Sequence, residues 1–323
     1  MVTLTQLSYI VAVDRCGSFN KAAKQCFVTQ PTLSMQIQKL EDHLGIVIFD
    51  RSKQPITTTP PGRKIVDQAK VVLREAERID EIIHEAQQKV EGLYRLAVIP
   101  TLAPYLIPRF TRAFIAKYPK VQLVIEETKT EDIITALKMD QIDAGLLVTP
   151  LEDSNIIEHP IFDEPFYVYA PQESDFSKKQ LITQSDLPTD RLLLLTEGHC
   201  LREQMLNLCQ IREELNERES QPLLFESGSI ETLINMVDQG HGYTIVPHLA
   251  AFQNINRSGK FFHFAAPVPS RQVSLVTHRS SIRKAIFEAL LQEINLCLPD
   301  ELKQQQASTK TIAIKRQQNL VAT

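Results

Sequence analysis

The densest chemistry in the chain lies in Gly198-His199-Cys200-Leu201-Arg202-Glu203-Gln204, followed by Cys209. A helical pattern opens at Cys200, and the unpaired N–H groups of a helix start favour a thiolate over a thiol. His199 and Arg202 add hydrogen-bonding or positive character beside it. These residue types predict an acidic, oxidation-prone thiol: oxidation would make a sulfenic acid at Cys200, which a second cysteine can resolve. Cys209 is that second cysteine by position. Nine helical steps would hold the two Cα atoms roughly 13 Å apart, whereas a disulfide tolerates at most about 7 Å. A bond between them requires the helix to unwind, so oxidation would be a conformational switch. Two plainer readings stand beside this one. Buried cysteines are common core residues. His199, Cys200, Cys209 and His241 could hold a metal, although no pair among them has zinc-ligand spacing. Cys16, Cys26 and Cys297 fall in apolar helical patterns and read as core.

Around this segment, from Tyr94 onward, strand-like and helix-like patterns alternate, which predicts an α/β body. Strands are expected over 95–99, 121–126, 144–148, 166–170, 192–195, 223–226 and 243–246. Helices are expected over 105–118, 131–140, 201–215, 229–239 and 282–298. Ligands of such folds sit beyond the carboxyl ends of strands, at helix N-termini. Pro100-Thr101, 128–130, 197–200 and 226–229 all fall at strand-to-helix turns, and together they could line one cleft between two subdomains. The tail over 303–323 is rich in Gln, Lys and Thr without acidic residues, and is expected to be disordered.

The first sixty residues read differently. Leu4, Leu7, Ile10 and Val11 recur at helical spacing and Gly17 ends that helix. Ser18 caps a second segment in which Ala22 and Ala23 permit close packing. After a short turn, Thr29 can cap a third helix that carries Pro31 in its first turn and ends at Gly45. Leu33, Ile37, Leu40 and Leu44 would hold its core, while Gln30, Thr32, Ser34, Gln36 and Lys39 face outward. A second helix set in the major groove is how a helix-turn-helix reads base edges. Two β-like runs, 47–49 and 56–58, flank Asp50-Arg51-Ser52-Lys53-Gln54-Pro55, a wing with Arg51 and Lys53 at its tip for phosphate contact. Three ordinary amphipathic helices with a solvated face would not place cap, turn, polar first turn and basic wing in this order.

Ile65, Ala69, Val72, Ala76, Ile79, Ile83, Ala86 and Val90 then recur alternately every four and three residues. That period of 3.5 calls for a partner helix, along a rod of roughly 40 Å. Packing of the seam onto the chain's own body is the alternative. Dimerisation is preferred, because a paired helix-turn-helix reads two half-sites.

Charge supports the division. The 323-residue chain carries a net charge of −4, yet residues 1–64 sum to +4 and the remainder to −8. A basic module on an acidic body suits contact with phosphates at one end only. No apolar run approaches a membrane span. No signal-peptide pattern opens the sequence, so a cytoplasmic, reducing setting is expected, in which five scattered cysteines act as thiols. A periplasmic solute-binding protein is disfavoured for the same reason. A thiol peroxidase is disfavoured by the helix-turn-helix and by the lack of a reductase-docking or cofactor motif. A regulator triggered by a small carboxylate, with structural cysteines, is the nearest rival.

The run 4–62, with Ser18-Phe19-Asn20-Lys21-Ala22-Ala23 and Gln30-Pro31-Thr32-Leu33-Ser34-Met35-Gln36, closely resembles the LysR-type transcriptional regulators. The resemblance implies a winged helix-turn-helix over 1–60 and a linker dimerisation helix over 61–91. It also implies a periplasmic-binding-protein-like α/β body over 92–302, crossed by the chain near 164 and 267. A dimer of dimers bound to double-stranded DNA and in contact with RNA polymerase follows from it, with no enzymatic turnover, cofactor or metal. Ile99-Pro100-Thr101, Pro104-Tyr105-Leu106 and the cysteine segment are similar to peroxide-sensing members. By that resemblance Cys200 reacts with hydrogen peroxide, Cys209 closes the disulfide, and oxidative-stress genes are activated. Thr101, Thr130 and His199 would hydrogen-bond the peroxide, and Arg271 would contribute positive charge. Glu203 stands where those proteins commonly carry Asp, and 210–221 departs from their pattern, which bears on reactivity and switching kinetics.

Overall fold

The structure, a computed structural model, describes residues 1–86, 89–209, 225–281, 283–304 and 309–312. It forms two compact units, Met1–Gln88 with Met139–Gln141, and Lys89–Lys138 with Ile142–Thr323. Among the described residues no helix is long and apolar enough to cross a membrane.

In the first unit, α1 (Leu4–Cys16), α2 (Phe19–Gln25) and α3 (Gln30–Leu44) begin and end where the capping residues dictate. Ser18 and Thr29 accept hydrogen bonds from Lys21 N–H and Thr32 N–H, and Gly17 and Gly45 close α1 and α3 in the left-handed conformation. Ile10, Val13, Ala22, Leu33, Ile37, Leu40 and Phe49 share one core, with Leu44 at its margin. The wing is shorter and shifted from the expected runs: β1 (Phe49–Asp50) pairs antiparallel with β2 (Thr57–Thr58), Phe49 opposite Thr58. The cause is local. The N–H groups of Ile48 and Phe49 donate to Glu41 Oε1 at 2.7 and 3.3 Å, and the carbonyl of Val47 accepts from Thr59 Oγ1, so residues 47–48 have other partners.

Thr59 Oγ1 also accepts from Gly62 N–H and starts α4 (Pro60–Ala86). A Cβ at Gly62 would lie 2.2 Å from the Ile48 carbonyl oxygen, so only glycine lets the helix leave the wing this closely. The first part of the seam packs within its own unit. Ala69 is buried in the core beside Val66, Ile65 packs on its edge, and Asp14 of α1 pairs with Arg63 at 3.0 Å and Lys70 at 3.2 Å. Val72 and Ile79 remain 37% and 65% exposed. The seam is thus divided: its start belongs to the chain's own core, and its continuation is open. The side chains of Ile83 and Ala86 lie outside the described residues. Val90 does not continue the helix; it packs against the core of the second unit.

In the second unit the main sheet runs β10-β6-β11-β5-β3-β4, with β9 beside β6 and β12 beside β11. The strands are β3 (Gly92–Val98), β4 (Val121–Glu127), β5 (Ala144–Thr149), β6 (Ile156–Ala170), β9 (Thr244–Pro247), β10 (Lys260–His263), β11 (Val268–His278) and β12 (Thr309–Thr311). A small parallel pair joins β7 (Leu194–Leu195) to β8 (Glu226–Ser227). Around them pack α5 (Ala103–Lys117), α6 (Thr130–Lys138), α7 (Cys200–Leu208), α8 (Ile230–Asp238), α9 (His248–Gln253), α10 (Lys284–Cys297) and α11 (Asp300–Gln304). The long strand β6 pairs with β11 up to Pro165 and with β9 and β10 from Phe166, and the chain leaves β10 for β11 over 264–267.

One expectation is overturned. The tail is not wholly disordered: β12 pairs parallel with Val268–Ser270, Ile312 N–H donates to the Ser270 carbonyl at 2.8 Å, and Ile312 is buried. The expected continuation of α7 to 215, Leu223, Ile282 and 313–323 lie outside the described residues.

Candidate functional site

Cys200 is the first residue of α7 and Cys209 its C-cap, and all five cysteines are thiols. The helix is continuous between them, so the roughly 13 Å separation set by helical rise holds. His199, the N-cap, makes no side-chain cap, which leaves the N–H groups of Cys200 and Leu201 to donate to the Cys200 sulfur. The Thr130 side chain, at the start of α6, hydrogen-bonds the same sulfur, and Arg271 of β11 acts on it electrostatically. Arg271 is held by Thr101, to whose Oγ1 and carbonyl its Nη1 and Nη2 donate at 2.9 and 3.1 Å. Thr101, Thr130 and Cys200, at strand-to-helix turns, and Arg271, within β11, are thus brought together in one unit although distant in sequence.

The electrostatics differ from the sequence expectation. Cys200 is not an acidic thiol in this conformation: burial pushes it up, and the pull of Arg271, Thr130 and the helix N–H groups offsets this only in part. The helix start still favours the thiolate, but the cost of desolvating a buried sulfur outweighs it here. His199 is held below the usual imidazole range by burial and by Lys129, whose Nζ donates to the Glu197 carbonyl at 3.2 Å. Near neutral pH it is an uncharged ring. Arg202 does not lend its charge to Cys200. It is buried, and its Nη1 donates to the Leu195 carbonyl at 2.6 Å and Glu226 at 2.7 Å, tying α7 to β7 and β8. Glu203 is half-buried one turn along, with no hydrogen bond or ion pair among the described residues. Cys16, Cys26 and Cys297 are half-buried and pack at the margins of the two cores, Cys16 donates its S–H to Gln25, and no cluster fit for a metal occurs among the described residues.

On the first unit, Gln30, Pro31, Thr32 and Lys39 are exposed along α3, while Ser34 and Gln36 are half-buried. Gln36 accepts from Gln6 of α1 at 3.4 Å. Lys53 extends from the wing beside Asp50. Arg51 is displaced from the expected role. Its Nη2 lies 2.9 Å from Glu41, its Nη1 reaches Ser34, and the guanidinium sits 4.9 Å above the Phe19 ring. It fastens the wing to α3 and α2 first.

Residues 4–63 match the bacterial regulatory helix-turn-helix of the lysR family, and residues 87–295 match the LysR substrate binding domain. The chain is a LysR-family regulator. It is 32% identical over 294 residues to the DNA-binding transcriptional dual regulator OxyR of Escherichia coli, covering 91% of this chain and 95% of that one. It is equally identical, over the same length and shares, to the hydrogen peroxide-inducible genes activator of Dickeya chrysanthemi. Among solved structures it resembles a full-length OxyR variant from Pseudomonas aeruginosa, with TM-score 0.74 and 35% identity, covering 92% and 99% of the two chains. It also resembles a peroxide-bound OxyR mutant from Corynebacterium glutamicum, with TM-score 0.61 and 30% identity, covering 91% and 92%.

Three residues of this LysR regulator escaped the sequence reading. Glu41 reads as one more charge on α3, Glu164 as one more in a Pro-flanked run, and Gln204 as a helix-surface amide; all three are buried. A charge in register with core positions, such as Glu41 following Leu33, Ile37 and Leu40, is the signal that was there to find.

Proposed function

We propose that this LysR regulator senses hydrogen peroxide through Cys200 and Cys209 and activates genes from double-stranded DNA in concert with RNA polymerase, in a cytoplasmic setting. The observation that carries the reading is the placement of both cysteines on one short helix, with the Cys200 sulfur facing Thr130, Arg271 and open helix N–H groups. The Cys200 sulfur attacks one peroxide oxygen as the O–O bond breaks; the thiol proton goes to the leaving hydroxide, giving a sulfenic acid and water. The Cys209 sulfur then attacks the sulfenic sulfur, the S–S bond forms, and a second water departs. The second step requires α7 to open. The names of the relatives point the same way. Treating the purified protein with stoichiometric peroxide should lower the free thiols from five to about three, the two thiols of one disulfide having gone. An unchanged count, with DNA binding altered instead by a small carboxylate, would favour the ligand-triggered rival.

DNA contact is assigned to Gln30, Pro31, Thr32, Ser34, Gln36 and Lys39 of α3, with Lys53 and, after its structural role, Arg51. Gln30→Ala should relax preference at one base position by about 1–3 kcal/mol. Lys53→Ala should weaken all sequences alike and flatten the salt dependence. Equal losses on specific and random DNA for Gln30→Ala would refute the groove placement.

Dimerisation is assigned to the open part of the linker seam, from Val72 through Ala76 and Ile79, because large apolar side chains on an exposed helix face need cover. Val72→Asp with Ile79→Asp should shift full-length protein to a smaller species in sedimentation velocity while thiol reactivity stays as it was. Sedimentation indistinguishable from the parent would remove this assignment. A dimer of dimers is the expected full assembly.

A further inference from the structure

We propose that Glu164 is a positioning residue for the thiol chemistry: it clamps Arg271 against Thr101 and offsets part of its charge, so that the pair sets the field at Cys200. The role rests on Cys200 being the reacting thiol, as proposed above. Glu164 and Arg271 stand opposite each other on β6 and β11, and both side chains are fully buried. Glu164 Oε2 accepts from Arg271 Nε at 2.8 Å and lies 2.8 Å from Nη2 in an ion pair, and its Oε1 accepts from Leu249 N–H at 2.8 Å. With Thr101 taking the other edge, the guanidinium is fixed in plane and direction by two strands and the turn before α5. A buried guanidinium without a counter-charge would be strongly disfavoured. Its unopposed charge would also draw Cys200 toward the thiolate and expose it to any electrophile. The carboxylate holds Arg271 where its charge acts on the sulfur while limiting that pull.

Other titratable groups around the pair are Tyr105, Tyr167 and His248. Burial raises Tyr105, next to Glu231, and Tyr167, and lowers His248, so none changes charge near neutrality in the direction that would mimic Glu164. Around Cys200 itself stand His199 and Lys129, with Glu203 on the same helix.

The test is the pH profile of iodoacetamide labelling at Cys200 in the full-length protein, read by peptide mass. E164Q keeps the shape and an acceptor for Arg271 but drops the charge. Its labelling midpoint should move to lower pH, and its rate at pH 7 should rise by at least about threefold, equivalent to half a pKa unit. E164D, which restores the charge, should return the midpoint toward the parent. A midpoint for E164Q that stays or rises overturns the proposal. Should E164Q fail to fold by circular dichroism, the E164Q/R271M double variant replaces the ion pair with groups a core accepts. Its midpoint should lie above the parent's, and one equal or lower overturns the proposal. Labelling reports the field at Cys200 whether or not peroxide is the signal, so peroxide consumption by the parent separately decides the functional reading.

Discussion

Cys200→Ser should leave the protein without the proposed peroxide response, whereas Cys209→Ser should still react once and stop at the sulfenic acid. The asymmetry follows from position. In the proposed role Cys200 has the Thr130 hydrogen bond, the helix N–H groups and the charge of Arg271 acting on its sulfur, a setting that Cys209 does not share. Cys209 caps the far end of α7, its N–H donating to the Met205 carbonyl at 2.9 Å, and on the proposed mechanism it would meet Cys200 only after α7 loses its helix. Amide hydrogen exchange over 198–209 should therefore be slow in the reduced parent and fast after the disulfide forms. In peroxide-treated Cys209→Ser it should stay nearly as slow as in the reduced parent. Unchanged protection in the parent after both thiols are consumed would mean that the pair bonds without unwinding, and the switch would have to be abandoned.

Glu41→Ala should disable DNA binding without touching the thiol response. Glu41 accepts from the N–H groups of Ile48 and Phe49 and pairs with Arg51 at 2.9 Å, so one carboxylate ties the wing to the recognition helix. Removing it leaves two backbone donors without an acceptor, at about 1–3 kcal/mol each, and releases Arg51. The first unit should lose about 3 kcal/mol or more, seen as an earlier transition in urea, while the peroxide-dependent loss of thiols is retained. Glu41→Gln keeps one acceptor and should fall between. Parental DNA affinity together with a parental transition in the alanine variant would show that the wing is held by other means.

The first unit was legible because its boundaries are written in local chemistry. Ser18, Thr29, Gly17 and Gly45 act within a few residues of themselves. The second unit was legible only where strands are apolar. The first half of β6 carries His159, Pro160, Asp163, Glu164 and Pro165, and β11 carries Ser270, Arg271, Gln272 and Ser274; neither shows a strand pattern. Both are strands because their polar groups satisfy one another across the sheet. Arg271 pairs with Glu164, and Thr149 bonds Ser274 at 2.6 Å and Gln272 at 3.1 Å. Such matches are made by chain segments a hundred residues apart, and no single segment displays them. The same reason explains the misjudged acidity of Cys200 and the misplaced charges of Arg51 and Arg202. Residue type announced a thiol and two cations, but burial and partners, which are tertiary, decided what each does.

Just past β12, the last strand by chain order, the chain reaches α7: Gln204 Nε2, in the middle of that helix, donates to the Ile312 carbonyl at 3.0 Å. Synthesis delivers a chain from its N-terminus. On the ribosome, the helix-turn-helix is therefore made well before the contact that Ile312 gives α7. A chain that has not yet reached Ile312 should therefore exchange the amide hydrogens of α7 faster than the finished one, so the order of synthesis sets when that helix is steadied.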